Sequence, residues 1–176
     1  MSKIDRAGLV NVYDTLTTIK GNLKDVLHKY TAASLRKQLE TFVEPIIEQR
    51  TEAEKKRPKQ YDEERETICK EYSVKDKDGK PVIAGNQYFI DSPRQGEFNG
   101  KLEELRTKHK DVIDAFEAEI KRVNEFLRGD IDFPELKGRL KLSWFKDDVD
   151  QQNLEALFPL IEADLDVVEA ITKAKS

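Results

Sequence analysis

The chain has 176 residues, of which 38% are hydrophobic and 38% charged, with 31 Lys plus Arg against 35 Asp plus Glu. The net charge of −4 is mild and both signs are mixed along the chain, so nucleic-acid binding has no electrostatic support. Charge this far above the usual quarter favours long, partly solvated helices over a thick globule.

A single cysteine, Cys69, rules out an intrachain disulfide framework and a cysteine-based zinc site. No apolar run approaches the roughly 18 residues of a membrane-spanning helix. The stretch Met1-Ser2-Lys3-Ile4-Asp5-Arg6 lacks the apolar core of a signal peptide. The expectation is a cytoplasmic protein with no membrane and no nucleic-acid partner.

Residues 4–29 predict a first helix, with Leu9, Val12, Tyr13, Leu16, Ile19, Leu23, Val26 and Leu27 at three- and four-residue steps. Gly21 marks a kink or break within it. Thr31 and Ser34 offer caps for a second helix, whose apolar face is Leu35, Leu39, Phe42, Val43, Ile46 and Ile47. Pro45 should bend that helix, and Pro58 makes a second break. Helical pattern returns with Tyr61, Arg65, Ile68, Cys69 and Tyr72.

Residues 73–92 predict a β-hairpin. Asp78-Gly79 is a turn signal, and Val74, Val82, Ile83, Tyr88, Phe89 and Ile90 are strand formers. Gly85-Asn86 can add a second turn. Residues 97–127 carry the clearest helical stripe: Phe98, Leu102, Leu105, Val112, Ile113, Phe116, Ile120, Val123, Phe126 and Leu127. Gly129 stands where a C-terminal cap is expected. Across 130–146, Ile131, Phe133, Leu140, Leu142 and Trp144 alternate with polar positions, which argues extended chain. A last helical region follows, with Val149, Leu154, Leu157, Phe158, Leu160, Ile161, Leu165 and Val168.

The predicted fold class is mainly α: long antiparallel helices, a small β-hairpin at the tip, and a short extended segment before a C-terminal helix. It is read as one domain, 1–176. Residues 1–30 are its N-terminal helix and 31–128 a helical hairpin, with the β-hairpin near 73–92. Residues 129–176 are the extended segment and last helix.

Asp76 and Asp78 before Gly79 begin like a calcium loop, but the further acidic position and the distal Glu are missing. A hairpin turn explains them. His28 and His109 stand apart, each among charged residues, and read as solvated helix positions. Cys69 reads as a half-buried structural thiol. Asp62-Glu63-Glu64, Glu103-Glu104 and Asp147-Asp148 could serve acid–base chemistry, but in so acidic a chain they read as surface. Phosphate-loop, dinucleotide and nucleophile-elbow motifs are absent from the sequence. No catalytic, cofactor-binding or metal residue is assigned, no cofactor is expected, and the chain is read as not an enzyme. Aromatic side chains are favoured interface anchors, and here they are Tyr88 and Phe89 on the hairpin with Trp144 and Phe145 after it. On an alternating strand the last two rings would point to opposite faces.

Three stretches resemble a family of small uncharacterised tailed-bacteriophage proteins. They are Glu64-Arg65-Glu66 through Tyr72 with Lys75-Asp76-Lys77-Asp78-Gly79-Lys80-Pro81, then Tyr88-Phe89-Ile90-Asp91 with the 102–120 helix, and Asn153-Leu154-Glu155-Ala156-Leu157 through Ile161-Glu162. The likeness covers about two thirds of the chain, and 52–59 stands outside it as an addition. It implies an accessory or assembly protein made in the cytoplasm of an infected host, and it carries over no catalytic residues. Two helices joined through a β-hairpin also resemble a prefoldin subunit in architecture, from which Pro45, Pro58 and the long C-terminal part depart. The leading expectation is a non-enzymatic protein that binds a phage structural protein or a host protein, or associates with itself. Alternatives are an inhibitor of a host defence protein, and a small helical metal-dependent hydrolase using clustered carboxylates.

Overall fold

The computed structural model describes residues 3–85 and 87–162. The fold is mainly α, as the pattern predicts, with six helices and three short strand pairings among the described residues. Where the sequence reads as one domain, the contacts form two compact units. Among the described residues, one comprises 3–52 together with 123–162, and the other lies within 53–122. The physical reason is two separate buried apolar clusters.

The first unit begins with β1 (Lys3–Asp5) and α1 (Arg6–Thr18). The Asp5 carboxylate caps α1 by accepting the Gly8 N–H. Leu9, Val12, Tyr13 and Leu16 bury the helix along one stripe. The predicted first helix of 4–29 ends early, at Thr18. A 3-10 turn, Ile19–Asn22, follows it. Tertiary partners claim the backbone there: Lys146 N–H donates to the Asn22 carbonyl at 2.8 Å and Lys24 N–H to the Trp144 carbonyl at 3.0 Å. Val26 and Leu27 therefore open the next helix, α2 (Val26–Lys55), where Asp25 Oδ1 accepts the His28 N–H.

Leu35, Leu39 and Val43 are fully buried on α2 and Ile46 nearly so, while Phe42 and Ile47 of the predicted face are exposed. Pro45 lies inside the helix without ending it. β4 (Asp130–Asp132) pairs antiparallel with β1, Ile4 opposite Ile131. β5 (Leu140–Lys141) leads into a 3-10 turn, Leu142–Trp144, so the alternating stretch is strand only in part. The predicted C-terminal helix is likewise short. α6 (Gln151–Leu157) gives way at Phe158-Pro159-Leu160, because proline supplies no N–H for a continuing ladder. β6 (Ile161–Glu162) then pairs parallel with β5. Leu165 and Val168 of that predicted helix lie outside the described residues. Leu140, Leu157 and Leu160 complete the core at 0% exposure, each contributing about 1.5–3 kcal/mol by burial.

The second unit holds the predicted helical hairpin. Pro58 breaks the chain between α2 and α3 (Lys59–Tyr72). The strands β2 (Ile83–Ala84) and β3 (Gln87–Tyr88) follow, then α4 (Gln95–Lys108) and α5 (Lys110–Leu127). The predicted single helix of 97–127 divides at His109, whose backbone leaves helical values at φ −104 and ψ 14. α3 and α4 run antiparallel. Tyr72 meets Phe98 at one end, with ring centroids 5.9 Å apart, and Glu64 meets Lys108 at the other. Cys69, Tyr72 and Phe98 are the buried centre of this unit.

Candidate functional site

The connection between α3 and α4 is tied by its own backbone. Val74 N–H donates to the Phe89 carbonyl at 2.7 Å, Val82 N–H to the Val74 carbonyl at 2.8 Å, and Phe89 N–H to the Val82 carbonyl at 3.1 Å. Three chain segments are thus locked at one level. The Asp76 carboxylate accepts the N–H groups of Asp78 and Lys80 at 2.9 and 2.8 Å, and Gly79 takes φ +77, a value that favours glycine. Gly85 makes the second turn at φ +58. These acids therefore form the turn that the spacing predicts.

A groove of about 550 Å³ lies between the hairpin and the two helices. Its floor is Cys69, Ile90 and Phe98, with Tyr88 as a wall. Its rim is charged with both signs: Arg57, Asp62, Arg65 and Glu66, all near or on one stretch of α3. Arg57 Nε holds Asp62 Oδ2 at 2.8 Å, and that hydrogen bond raises the guanidinium pKa above its ordinary value. Tyr88 Oη donates to Glu66 Oε1 at 3.3 Å, and Lys70 Nζ approaches the same oxygen at 2.8 Å. The Lys70 hydrogen bond is the main reason the Glu66 pKa falls below the usual carboxylate value.

Of the four expected anchors, Tyr88 and Phe89 share this unit. Tyr88 is half-buried in the groove wall and Phe89 is 53% exposed on the hairpin, near exposed Val74 and Ile83. Trp144 and Phe145 belong to the other unit, and there the alternating-strand expectation changes. Trp144 is half-buried on the 3-10 turn, and Phe145 is only 4% exposed within the core. Phe145 bridges Leu23 through the backbone, which draws its ring inward. The sequence reading missed Arg57, Arg65, Cys69 and Phe98 as groove residues. The recurrence of Asp62, Arg65, Glu66 and Cys69 at helical steps places them on one face and was the available signal.

Neither histidine is the solvated position expected. The His28 side chain is 15% exposed and the His109 side chain 11%. His28 Nε2 lies 3.1 Å from Asp25 Oδ2. His109 Nε2 comes within 3.3 Å of Glu64 Oε2 but makes no hydrogen bond. Glu64 also takes Lys108 Nζ at 2.7 Å and Gln60 Nε2 at 2.9 Å. Lys108 above all lowers the Glu64 pKa to about 2. Glu119, held by Arg122 at 2.9 Å and Lys56 at 2.8 Å, is likewise lowered to about 2. These carboxylates are ionised partners in surface networks at neutral pH. Among the described residues no group of three or more His, Cys, Asp or Glu side chains converges to hold a metal ion. No helix among them is long and apolar enough to cross a membrane.

Comparison with protein-family models, with curated proteins and with solved structures finds no match to this chain.

Proposed function

We propose that the chain is a non-enzymatic, phage-type accessory or assembly protein that binds another protein through its hairpin-bearing unit, in the cytoplasm of an infected cell. One observation carries the reading: an apolar-floored groove with a rim of both charges lies beside an exposed aromatic, Phe89. An anchor side chain of the partner fills such a groove, and the rim charges set its register. Phe89 in turn offers an apolar surface to the partner. The locked backbone of Val74, Val82 and Phe89 keeps the ordering cost of this contact low. The phage setting rests on the likeness of three stretches to tailed-bacteriophage proteins: 64–72 with 75–81, 88–91 with 102–120, and 153–162.

The test is quantitative capture of the partner by the full chain and by Phe89→Ala. A central anchor costs roughly 2 kcal/mol or more when truncated, which weakens the dissociation constant by about thirtyfold. Equal capture by both proteins would contradict the proposed surface.

A further inference from the structure

The hairpin groove is lined by four charged side chains, Arg57, Asp62, Arg65 and Glu66, and three of them are already paired. Arg57 Nε lies 2.8 Å from Asp62 Oδ2, and the Glu54 carboxylate approaches the same guanidinium at 3.7 Å. Glu66 Oε1 takes Lys70 Nζ at 2.8 Å and the Tyr88 hydroxyl at 3.3 Å. Arg65 is exposed and makes no ion pair or side-chain hydrogen bond among the described residues. Gln87, which lines the groove from the hairpin, likewise keeps its side-chain amide without a partner among them.

An unpaired arginine is ordinary on an open surface, but this one borders an apolar floor. Arg65 stands one helical turn before Cys69 on α3, on the same face and about 5.4 Å along the axis. Cys69, Ile90 and Phe98 form that floor. An extended segment advances about 3.3 Å per residue. A charged group one or two positions from an apolar side chain seated on the floor therefore reaches the guanidinium.

Charge complementarity selects what that group is. The guanidinium fork matches a carboxylate through two parallel N–H···O bonds. Arg57 would first have to give up Asp62, so Arg65 meets an incoming anion at the lower cost. A phosphoryl group carries nearly two negative charges and calls for a cluster of arginines. Here Asp62 and Glu66 lie within a turn of Arg65 on α3, which favours a single negative charge.

We infer that the partner segment bound in this groove carries an apolar anchor with an Asp or Glu one or two positions away. Cys69, Ile90 and Phe98 take the anchor, Arg65 holds the carboxylate, and Gln87 offers a neutral donor beside it. The inference rests on the protein-binding reading above and adds the chemistry of the partner.

The test selects random peptides displayed on yeast against the full chain and, separately, against Arg65→Gln. Circular dichroism checks that the variant keeps its helices, as expected for an exposed, unpaired position. The full chain should enrich peptides with Asp or Glu one or two positions from an aromatic or large aliphatic residue. On Arg65→Gln the acidic preference should vanish and the apolar one remain. A synthetic peptide of the enriched sequence should bind Arg65→Gln about fivefold more weakly, the scale of an exposed ion pair. On the full chain it should shift the nuclear magnetic resonance signals of Ile90 and Phe98. Enriched peptides with no acid near the anchor, or an acidic preference that survives Arg65→Gln, would overturn the inference and leave the groove as the binding surface. No enrichment, or binding that leaves the Ile90 and Phe98 signals unmoved, would overturn the groove reading and the inference with it.

Discussion

The imidazole of His28 lies flat on the indole of Trp144, with ring centroids 4.2 Å apart and planes within 7°. The stack joins the first turn of α2 to the 3-10 turn after β5, and backbone bonds flank it: Lys24 N–H to the Trp144 carbonyl and Lys146 N–H to the Asn22 carbonyl. Trp144 is thus a structural tie, with its ring already partnered.

Trp144→Ala should cost about 2–3 kcal/mol, less than a fully buried tryptophan, since the ring is half-buried. His28→Ala should cost about 1 kcal/mol, the scale of an aromatic pair. Denaturant unfolding of each variant checks both values. A cost under about 0.5 kcal/mol for Trp144→Ala would show that the stack holds nothing.

Phe145 and Phe89 should part company in the same assay. Phe145 is 4% exposed in the first unit's core, so Phe145→Ala should lose about 3–5 kcal/mol. Phe89 is 53% exposed, so Phe89→Ala should shift stability by no more than about 0.5 kcal/mol. Denaturant unfolding of the two variants decides it.

Gly129 leaves room for the arginine that caps α5. Arg6 Nη1 donates to the Phe126 carbonyl at 3.1 Å and to the Gly129 carbonyl at 3.2 Å. A Cβ on Gly129 would stand 2.4 Å from that nitrogen. Gly129→Ala should therefore cost about 1 kcal/mol by displacing a charged cap. On an Arg6→Ala background the same change should cost clearly less, and a double-mutant cycle measures the difference.

The Gly129 site shows how far the sequence could be read. Glycine after the stripe marks the helix end correctly. A glycine in that place ordinarily takes a positive φ, yet among the described residues only Gly79, Gly85 and Gly138 have one. The true reason is an arginine 123 residues away in sequence, which no local pattern announces. The same holds elsewhere. The hairpin turn was legible because Asp76 and Gly79 act locally. The end of α1 at Thr18 was not, because Lys146 and Trp144 supply the partners of that backbone. The groove floor needed α3, the hairpin and α4 assembled, so Phe98 and Cys69 carried no signal of it alone. Phe116, part of the predicted stripe, is only half-buried, and Val112 is 52% exposed.

Acid should weaken the hairpin-bearing unit. Glu64 and Glu119 have folded pKa values lowered to about 2 from the usual 4.5. In that window the unfolded chain binds more protons than the folded one, so stability falls as pH falls. The contribution is fully present above about pH 4.5 and is lost as pH passes down through about 2. Carboxyl carbon chemical shifts of Glu64 and Glu119, followed from pH 6 to pH 2, should stay ionised well below ordinary glutamates. Glu64→Gln should flatten part of the acid dependence of the melting temperature.

The most direct measurement is partner capture from the cell that natively makes the protein, with the full chain and with Phe89→Asp side by side. The account predicts one dominant bound protein for the unaltered chain, its loss with Phe89→Asp, and melting temperatures that agree between the two. Capture that survives Phe89→Asp undiminished, or no specific protein with either chain, would contradict binding through the hairpin.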